Sequence, residues 1–216
     1  MLERAGMSDF LILLGGDLVV TPRLTAQIRG MRIIAADSGI RHAAALGIEP
    51  ELWVGDFDSA AEADYRAFPS VARETFPAAK DKTDGELAVD IALARGATRL
   101  VLAGAFGGPR TDHAFLHLTL ATSLAERGVG VMLTSGNQEG TPLLPGERSF
   151  DLPTGALFSV LAFSELTGLT LDGAAWPLDN VRVPFGSSLT ISNRVDGNLR
   201  AGLGSGRALL VALLDP

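Results

Sequence analysis

Gly55-Asp56-Phe57-Asp58-Ser59 places two carboxylates within three residues, directly after the apolar run Leu52-Trp53-Val54. At about 4 Å two such charges repel by roughly 4 kcal/mol in an effective dielectric of about 20, so something must compensate them. For hard oxygen donors the natural partner is Mg²⁺; the alternative is a pair of solvated turn aspartates. Lys80-Asp81-Lys82-Thr83-Asp84 brings a second carboxylate pair and two lysines to a helix start. Capping and surface charge explain Asp81 more readily than Asp84.

The longest polar loop is Gly104-Ala105-Phe106-Gly107-Gly108-Pro109-Arg110-Thr111-Asp112-His113. Its glycines expose backbone N–H groups, and it feeds into a helix N-terminus, which favours anions. Arg110 offers a planar fork for phosphate oxygens. Asp112 has the chemistry of a base, a metal ligand or a helix cap. His113 reads as a packed neighbour more than a ligand, and His42 and His117 share no metal-ligand spacing with it. Gly15-Gly16-Asp17 and Asp37-Ser38-Gly39 complete the set, each readable as a plain turn or cap, or as a ligand-facing loop. Carboxylates, one arginine, lysines and glycine backbone together suit a Mg²⁺-bound polyphosphate, where catalysis is positioning and electrostatics. The chain has no G-x-x-x-x-G-K-[ST], so it is not a P-loop kinase, and no G-x-G-x-x-G follows its first strand.

These loops need elements to aim them. From residue 10 to about 134, apolar β-runs alternate with helical patterns. Thr21-Pro22 reads as an N-cap with proline in the first turn, and Ser59-Ala60-Ala61-Glu62 and Thr83-Asp84-Gly85-Glu86 have the capping-box form. Such alternation predicts a mostly parallel sheet with helices on both faces, and ligands then sit beyond the carboxyl ends of the strands. After Gly136 the rhythm changes to short runs separated by Gly and Pro, at 149–152, 156–163, 166–171, 181–183, 189–192 and 208–214. That pattern predicts an antiparallel β-sandwich. The expected architecture is therefore an α/β chain with a three-layer catalytic domain over 1–136 and a β-sandwich domain over 137–216, joined by a linker at 136–146.

Composition narrows the partners. The chain of 216 residues is 47% hydrophobic and 20% charged, long enough for a substantial core and not disordered. It carries no cysteine, which excludes disulfides and thiolate metal sites and is in keeping with a cytoplasmic protein. The run at 10–14 is broken at once by Gly15-Gly16-Asp17, so it does not read as a signal peptide, and no run approaches a membrane span. A net charge of −7 argues against nucleic-acid binding, which depends on Lys and Arg, but not against nucleotides held through Mg²⁺.

In order, Ala36-Asp37-Ser38-Gly39, Gly55-Asp56-Phe57-Asp58-Ser59, Lys80-Asp81-Lys82-Thr83-Asp84, Gly107-Gly108-Pro109-Arg110-Thr111-Asp112-His113, Trp176-Pro177-Leu178-Asp179-Asn180 and Ser192-Asn193 resemble the motifs of the thiamine pyrophosphokinase (thiamin diphosphokinase) family. The resemblance spans almost the whole chain and rests on order and spacing, since no one motif is decisive. It implies an α/β catalytic domain, a thiamine-binding β-sandwich, and a homodimer with active sites at the interface. It also implies transfer of the pyrophosphoryl group of ATP to the thiamine hydroxyl, giving AMP and thiamine diphosphate. By position, Asp56, Asp58 and Asp84 would hold Mg²⁺, with Arg110 on phosphate and Asp112 at the reacting end. Asp37, Ser38, Gly39, Asp81, Thr83, Gly107 and Gly108 would join Arg110 around the nucleotide, and Trp176, Ser192 and Asn193 would face thiamine. Two positions depart from the family pattern: Ala79 stands where an aspartate is frequent, and Lys82 where a neutral or aromatic polar residue is frequent.

The residues themselves agree with that expectation. Thiamine is a cation, and tryptophan is the best aromatic partner for one, although Trp176 also fits a sandwich core. The competing readings are a Mg²⁺-dependent phosphatase using Asp56-Phe57-Asp58, a pyrophosphokinase for another alcohol such as a hydroxymethylpterin, and a non-catalytic thiamine or nucleotide sensor.

Overall fold

The computed structural model describes residues 8–57, 61–77 and 81–214. Asp58, Ser59, Ala79 and Lys80 lie outside the described residues. The first half builds β1 (Ser8–Leu13), α1 (Pro22–Gln27), β2 (Arg32–Ala36), α2 (Ile40–Leu46), β3 (Leu52–Gly55), α3 (Glu62–Ala67), β4 (Ala72–Thr75), α4 (Asp84–Ala94), β5 (Ala97–Ala103), α5 (Thr111–Glu126) and β6 (Gly130–Thr134). The strands lie in the order β6-β5-β1-β2-β3-β4, all parallel. Along β1 the side chains alternate between two cores. Phe10 and Ile12 meet Ala88, Val89 and Ala92 of α4 and Ala121 and Leu124 of α5. Leu11 and Leu13 meet Leu24 of α1 and Ile40 and Ala43 of α2. Period-2 burial on both faces is what a parallel strand covered by helices on either side requires.

Local signals account for the helix ends. The Thr21 hydroxyl accepts from Leu24 N–H at 3.1 Å with Pro22 in the first turn. Gly47 closes α2 in the left-handed region, at φ 65°. Thr83 and Glu86 form a reciprocal capping box at α4. For α3, the cap position falls on Ala61, whose N–H is taken by the Asp64 carboxylate at 3.0 Å. The edge strand β4 carries no apolar signal, because all four of its residues are exposed.

The second half adds β7 (Gln138–Leu143), β8 (Gly146–Ser149), β9 (Leu157–Ala162), β10 (Leu166–Ala174), β11 (Leu178–Val183), β12 (Asn193–Leu203) and β13 (Ala208–Leu213). Segment 136–146, expected as a linker, is instead mostly β7, which pairs antiparallel with β6 and continues the main sheet through β13 and β9. A second layer, β8-β12-β10-β11, packs over it on Phe158, Val160, Leu169, Leu171 and Leu199. β13 serves both halves: Leu209 and Val211 enter the α/β core, while Ala208, Leu210 and Ala212 enter the sandwich core. Buried Glu139 of β7 accepts from Arg23 Nε at 2.7 Å and from Gln27 Nε2 at 2.7 Å, tying α1 to the same seam. The run at 189–192 is a turn and not a strand, and the long β12 begins just after it.

Candidate active site

Strand order fixes where a ligand can sit. The chain leaves β1 toward β2, β3 and β4, then returns to the other side of β1 as β5. The carboxyl ends of β1 and β5 therefore flank a topological switch point, where loops diverge and leave a crevice. A cleft of about 200 Å³ opens there, lined by Gly15-Gly16 after β1, Asp37-Ser38 after β2, Thr83-Asp84-Gly85 at α4, and Gly104, Gly107-Gly108 and Arg110 after β5.

The two central loops are knitted together. Gly16 N–H donates to Gly104 O at 2.9 Å and Asp17 N–H to Phe106 O at 2.8 Å. A Cβ on Gly16 would stand 2.5 Å from both Gly104 O and Phe106 O, so only glycine fits. His42, rising from α2, places Nε2 2.9 Å from Gly16 O and so braces the same turn.

Asp37 has φ 44°, uncommon for a residue with a side chain, and its carbonyl accepts from the Trp53 indole N–H at 2.9 Å. Asp37-Ser38-Gly39 forms a 3₁₀ turn that runs directly into α2, with no side-chain cap at either start. Phe57, at φ 62°, packs edge-on against Trp53 with ring centroids 4.9 Å apart, which anchors the turn carrying Asp56. The fully buried Trp53 thus supports two acidic loops at once. Gly55 lies against Asp37: a Cβ there would be 3.4 Å from Asp37 Cα, so the end of β3 runs close past Asp37.

Asp84 lines the cleft as the first residue of α4. Thr83 lines it too, but its hydroxyl is engaged with Glu86 in the cap. Asp81 is exposed and is not among the cleft-lining residues, and Lys82 turns away to pair with Asp90. Gly107 and Gly108 have φ 65° and 77°, and Arg110 at the rim pairs bidentately with Asp112, Nε–Oδ1 at 2.9 Å and Nη2–Oδ2 at 2.6 Å. The guanidinium holds the Asp112 carboxyl well below the usual carboxylate range.

His113 lines the cleft beside His117, whose Nδ1 lies 3.2 Å from Ala105 O. Burial pushes His117 below its ordinary value of 6.5. The unfolded chain therefore takes up this proton more readily than the folded one. Stability is whole above about pH 6.5 and is lost as pH falls through the lowered value. The melting temperature is expected to drop between pH 7 and pH 5, and His117→Gln to flatten that drop. A scanning-fluorimetry slope unchanged by the substitution would assign the pH dependence elsewhere.

Trp176, Ser192 and Asn193 are not part of this cleft. Trp176 follows β10 and is 62% exposed, which removes it from the sandwich core. Ser192 is exposed at φ 62°, whereas Asn193 is buried. Among the described residues no three of His, Asp and Glu come together as a metal cluster. Asp56 does not line the cleft that Asp84 lines, and Asp58 lies outside the described residues. Three side chains to which the sequence assigned no role act on backbone groups of the loops: His42 at Gly16 O, Trp53 at Asp37 O, and the Ser159 hydroxyl at Ser192 N–H. A tryptophan placed just before a Gly-Asp turn was the available signal for Trp53.

A glycine-floored crevice at the switch point of a doubly wound sheet, rimmed by carboxylates and one arginine, is the arrangement by which α/β proteins hold phosphate-bearing ligands. Comparison with known proteins gives the family. The model of the thiamin pyrophosphokinase catalytic domain matches residues 29–133, and that of its vitamin B1 binding domain matches 147–201. The thiamine pyrophosphokinase of Bacillus subtilis (strain 168) is 30% identical over 194 residues, covering 88% of this chain and 90% of that protein. A crystal structure of thiamine pyrophosphokinase from Bacillus subtilis aligns with TM-score 0.84 and 26% identity over 97% of this chain and all of the other. Thiamin pyrophosphokinase from Geobacillus thermodenitrificans gives 0.78 and 27% over 97% of this chain and 98% of that one. The chain belongs to the thiamin pyrophosphokinase family.

Proposed function

We propose that this protein transfers the β,γ-pyrophosphoryl group of Mg²⁺-ATP to the hydroxyl of thiamine, releasing AMP and thiamine diphosphate. The observation that carries this reading is the cleft at the β1/β5 switch point, with glycine backbone on its floor and Asp84 and Arg110 at its edge. The thiamine hydroxyl oxygen attacks the β-phosphorus, and the bond from that phosphorus to the α,β-bridging oxygen breaks. AMP leaves with the bridging oxygen, and the hydroxyl proton passes to a carboxylate and then to water. Asp37 and Asp84, which line the cleft, and Asp56, which follows β3, carry hard oxygens suited to Mg²⁺, and Asp58 would join them. Mg²⁺ would supply neutralisation of the phosphate charge.

Arg110 gives the protein its own anion clamp. Paired as it is, Asp112 is a poor base, because its conjugate acid is too strong. When phosphate oxygens take the guanidinium fork, Asp112 is released beside the reacting end and regains ordinary basicity. Arg110→Ala is expected to lower kcat/KM for ATP by about 10²-fold, as loss of a fixed donor to developing charge does. Steady-state kinetics within threefold of wild type would remove Arg110 from the clamp.

A homodimer whose sandwich face completes the neighbouring cleft accounts for the distance of Trp176 from its own site. The exposed side chains of Trp176, Phe185, Leu189 and Ile191 support that arrangement. No helix among the described residues is long and apolar enough to cross a membrane, in keeping with a cytoplasmic enzyme. Chromatography of a reaction containing ATP, MgCl₂ and thiamine should show AMP and thiamine diphosphate in equal amounts, and neither after excess EDTA. ADP in place of AMP would refute the reaction.

A further inference from the structure

We infer that Asn193 acts on thiamine only through Trp176, as a positioning residue that fixes the backbone from which the indole projects; this rests on the assignment of Trp176 to thiamine. The Asn193 side chain spans both backbone polar groups of Trp176. Its Oδ1 accepts from Trp176 N–H at 3.2 Å, and its Nδ2 donates to Trp176 O at 2.7 Å. The same Oδ1 accepts from Arg194 N–H at 2.8 Å, so both acceptor sites of the amide oxygen are used. Asn193 is 6% exposed, which leaves a ligand little of it to touch.

Trp176 presents the opposite picture. Its ring is mostly exposed, and among the described residues no aromatic ring or cation packs on it. Its backbone is nonetheless pinned. Ala175 N–H donates to Arg194 O at 2.8 Å on one side, and Pro177, with its restricted φ, follows on the other. Asn193 itself is delivered by a built turn, in which Ser192 sits at φ 62° with its N–H held by the Ser159 hydroxyl at 3.0 Å. An exposed aromatic on a fixed backbone is a preorganised stacking surface, since little freedom remains to be lost on binding. The amide at 193 is thereby spent on presentation and not on contact.

The test uses the intact protein. Trp53 and Trp176 are its two tryptophans, and Trp53 is fully buried, so changes in time-resolved anisotropy or acrylamide quenching report on Trp176. Asn193→Ala should loosen that signal and raise the thiamine KM by up to about tenfold, with kcat and the ATP KM little changed. The double variant with Trp176→Ala should be no worse than Trp176→Ala alone. Asn193→Asp, nearly isosteric, keeps the acceptor but sets an oxygen against Trp176 O, and should shift both readouts in the same direction. It serves if the alanine variant fails to fold. An unchanged Trp176 signal with a raised KM, effects that add in the double variant, or a lower KM in Asn193→Asp would each mean that Asn193 touches the thiamine cation itself, and would overturn the inference. If Trp176→Ala leaves the thiamine KM unchanged, the thiamine assignment of Trp176 has failed and the inference falls with it. If Trp176→Ala raises KM but neither Asn193 variant does, the inference alone is wrong.

Discussion

Asp84→Asn is expected to lower turnover by about 10²–10³-fold while leaving circular dichroism and melting temperature near wild type. The fold should survive because Asp84 is not the cap of α4. Thr83 and Glu86 satisfy the exposed N–H groups there, and the substitution leaves both in place. Activity should fall because Asp84 lines the cleft at a helix start. An amide keeps the size of the carboxylate but removes the charge through which Asp84 would hold a divalent metal against the triphosphate. Raising MgCl₂ tenfold should recover part of the loss. Turnover within tenfold of wild type at ordinary Mg²⁺ would take Asp84 out of the metal site.

Trp53→Ala should produce the largest loss of stability. Trp53 is fully buried, packs on Phe57 and Tyr65, and ties its indole N–H to Asp37 O. Truncating a buried tryptophan costs about 3–5 kcal/mol. For a chain of this size that lowers the melting temperature by on the order of 10 °C. Trp53→Phe separates packing from tethering. It retains most of the apolar volume but removes one of the hydrogen bonds the Asp37 carbonyl accepts, Ile40 N–H keeping another, at a cost of about 0.5–1.5 kcal/mol. It should also raise the ATP KM, because the left-handed Asp37 loses its tether. A Trp53→Phe protein with wild-type stability and ATP KM would show that the indole N–H holds nothing of consequence.

Much of the architecture could be read from residues whose local physics is strong. Thr21-Pro22 and the Thr83/Glu86 box act within a single turn, and each marks a helix start where expected. Features set by distant partners were hidden. β4 is an edge strand of Ala-Arg-Glu-Thr with no apolar face, defined only by pairing with β3. The 136–146 segment carries the glycines and prolines of a linker, yet Gly140 and Pro142 sit in β7, paired with Val211 and Leu209 of β13. β12 alternates correctly at Val195, Leu199, Ala201 and Leu203, but Asp196-Gly197-Asn198 in its middle masks the period.

The candidate site divides along the same line. Glycine-rich turns and carboxylates at strand ends are visible as residue types, so Gly16, Asp37, Asp84, Gly107 and Arg110 were found and do line one cleft. How a side chain spends its hydrogen bonds is not visible in its type. Lys82, one of two lysines at the helix start, pairs with Asp90, and Asn193, expected to face thiamine, bonds both backbone groups of Trp176. Trp53 looked like ordinary core, although it braces Asp37.

Pyrophosphoryl transfer to thiamine would move both phosphates as one unit. Phosphorus-31 NMR of the purified protein with Mg²⁺-ATP, before and after adding thiamine, tests it most directly. The ATP spectrum should be stable at first. After thiamine is added, the AMP singlet and the two coupled resonances of thiamine diphosphate should rise together, with no ADP or free phosphate. ADP or inorganic phosphate formed without thiamine would contradict it.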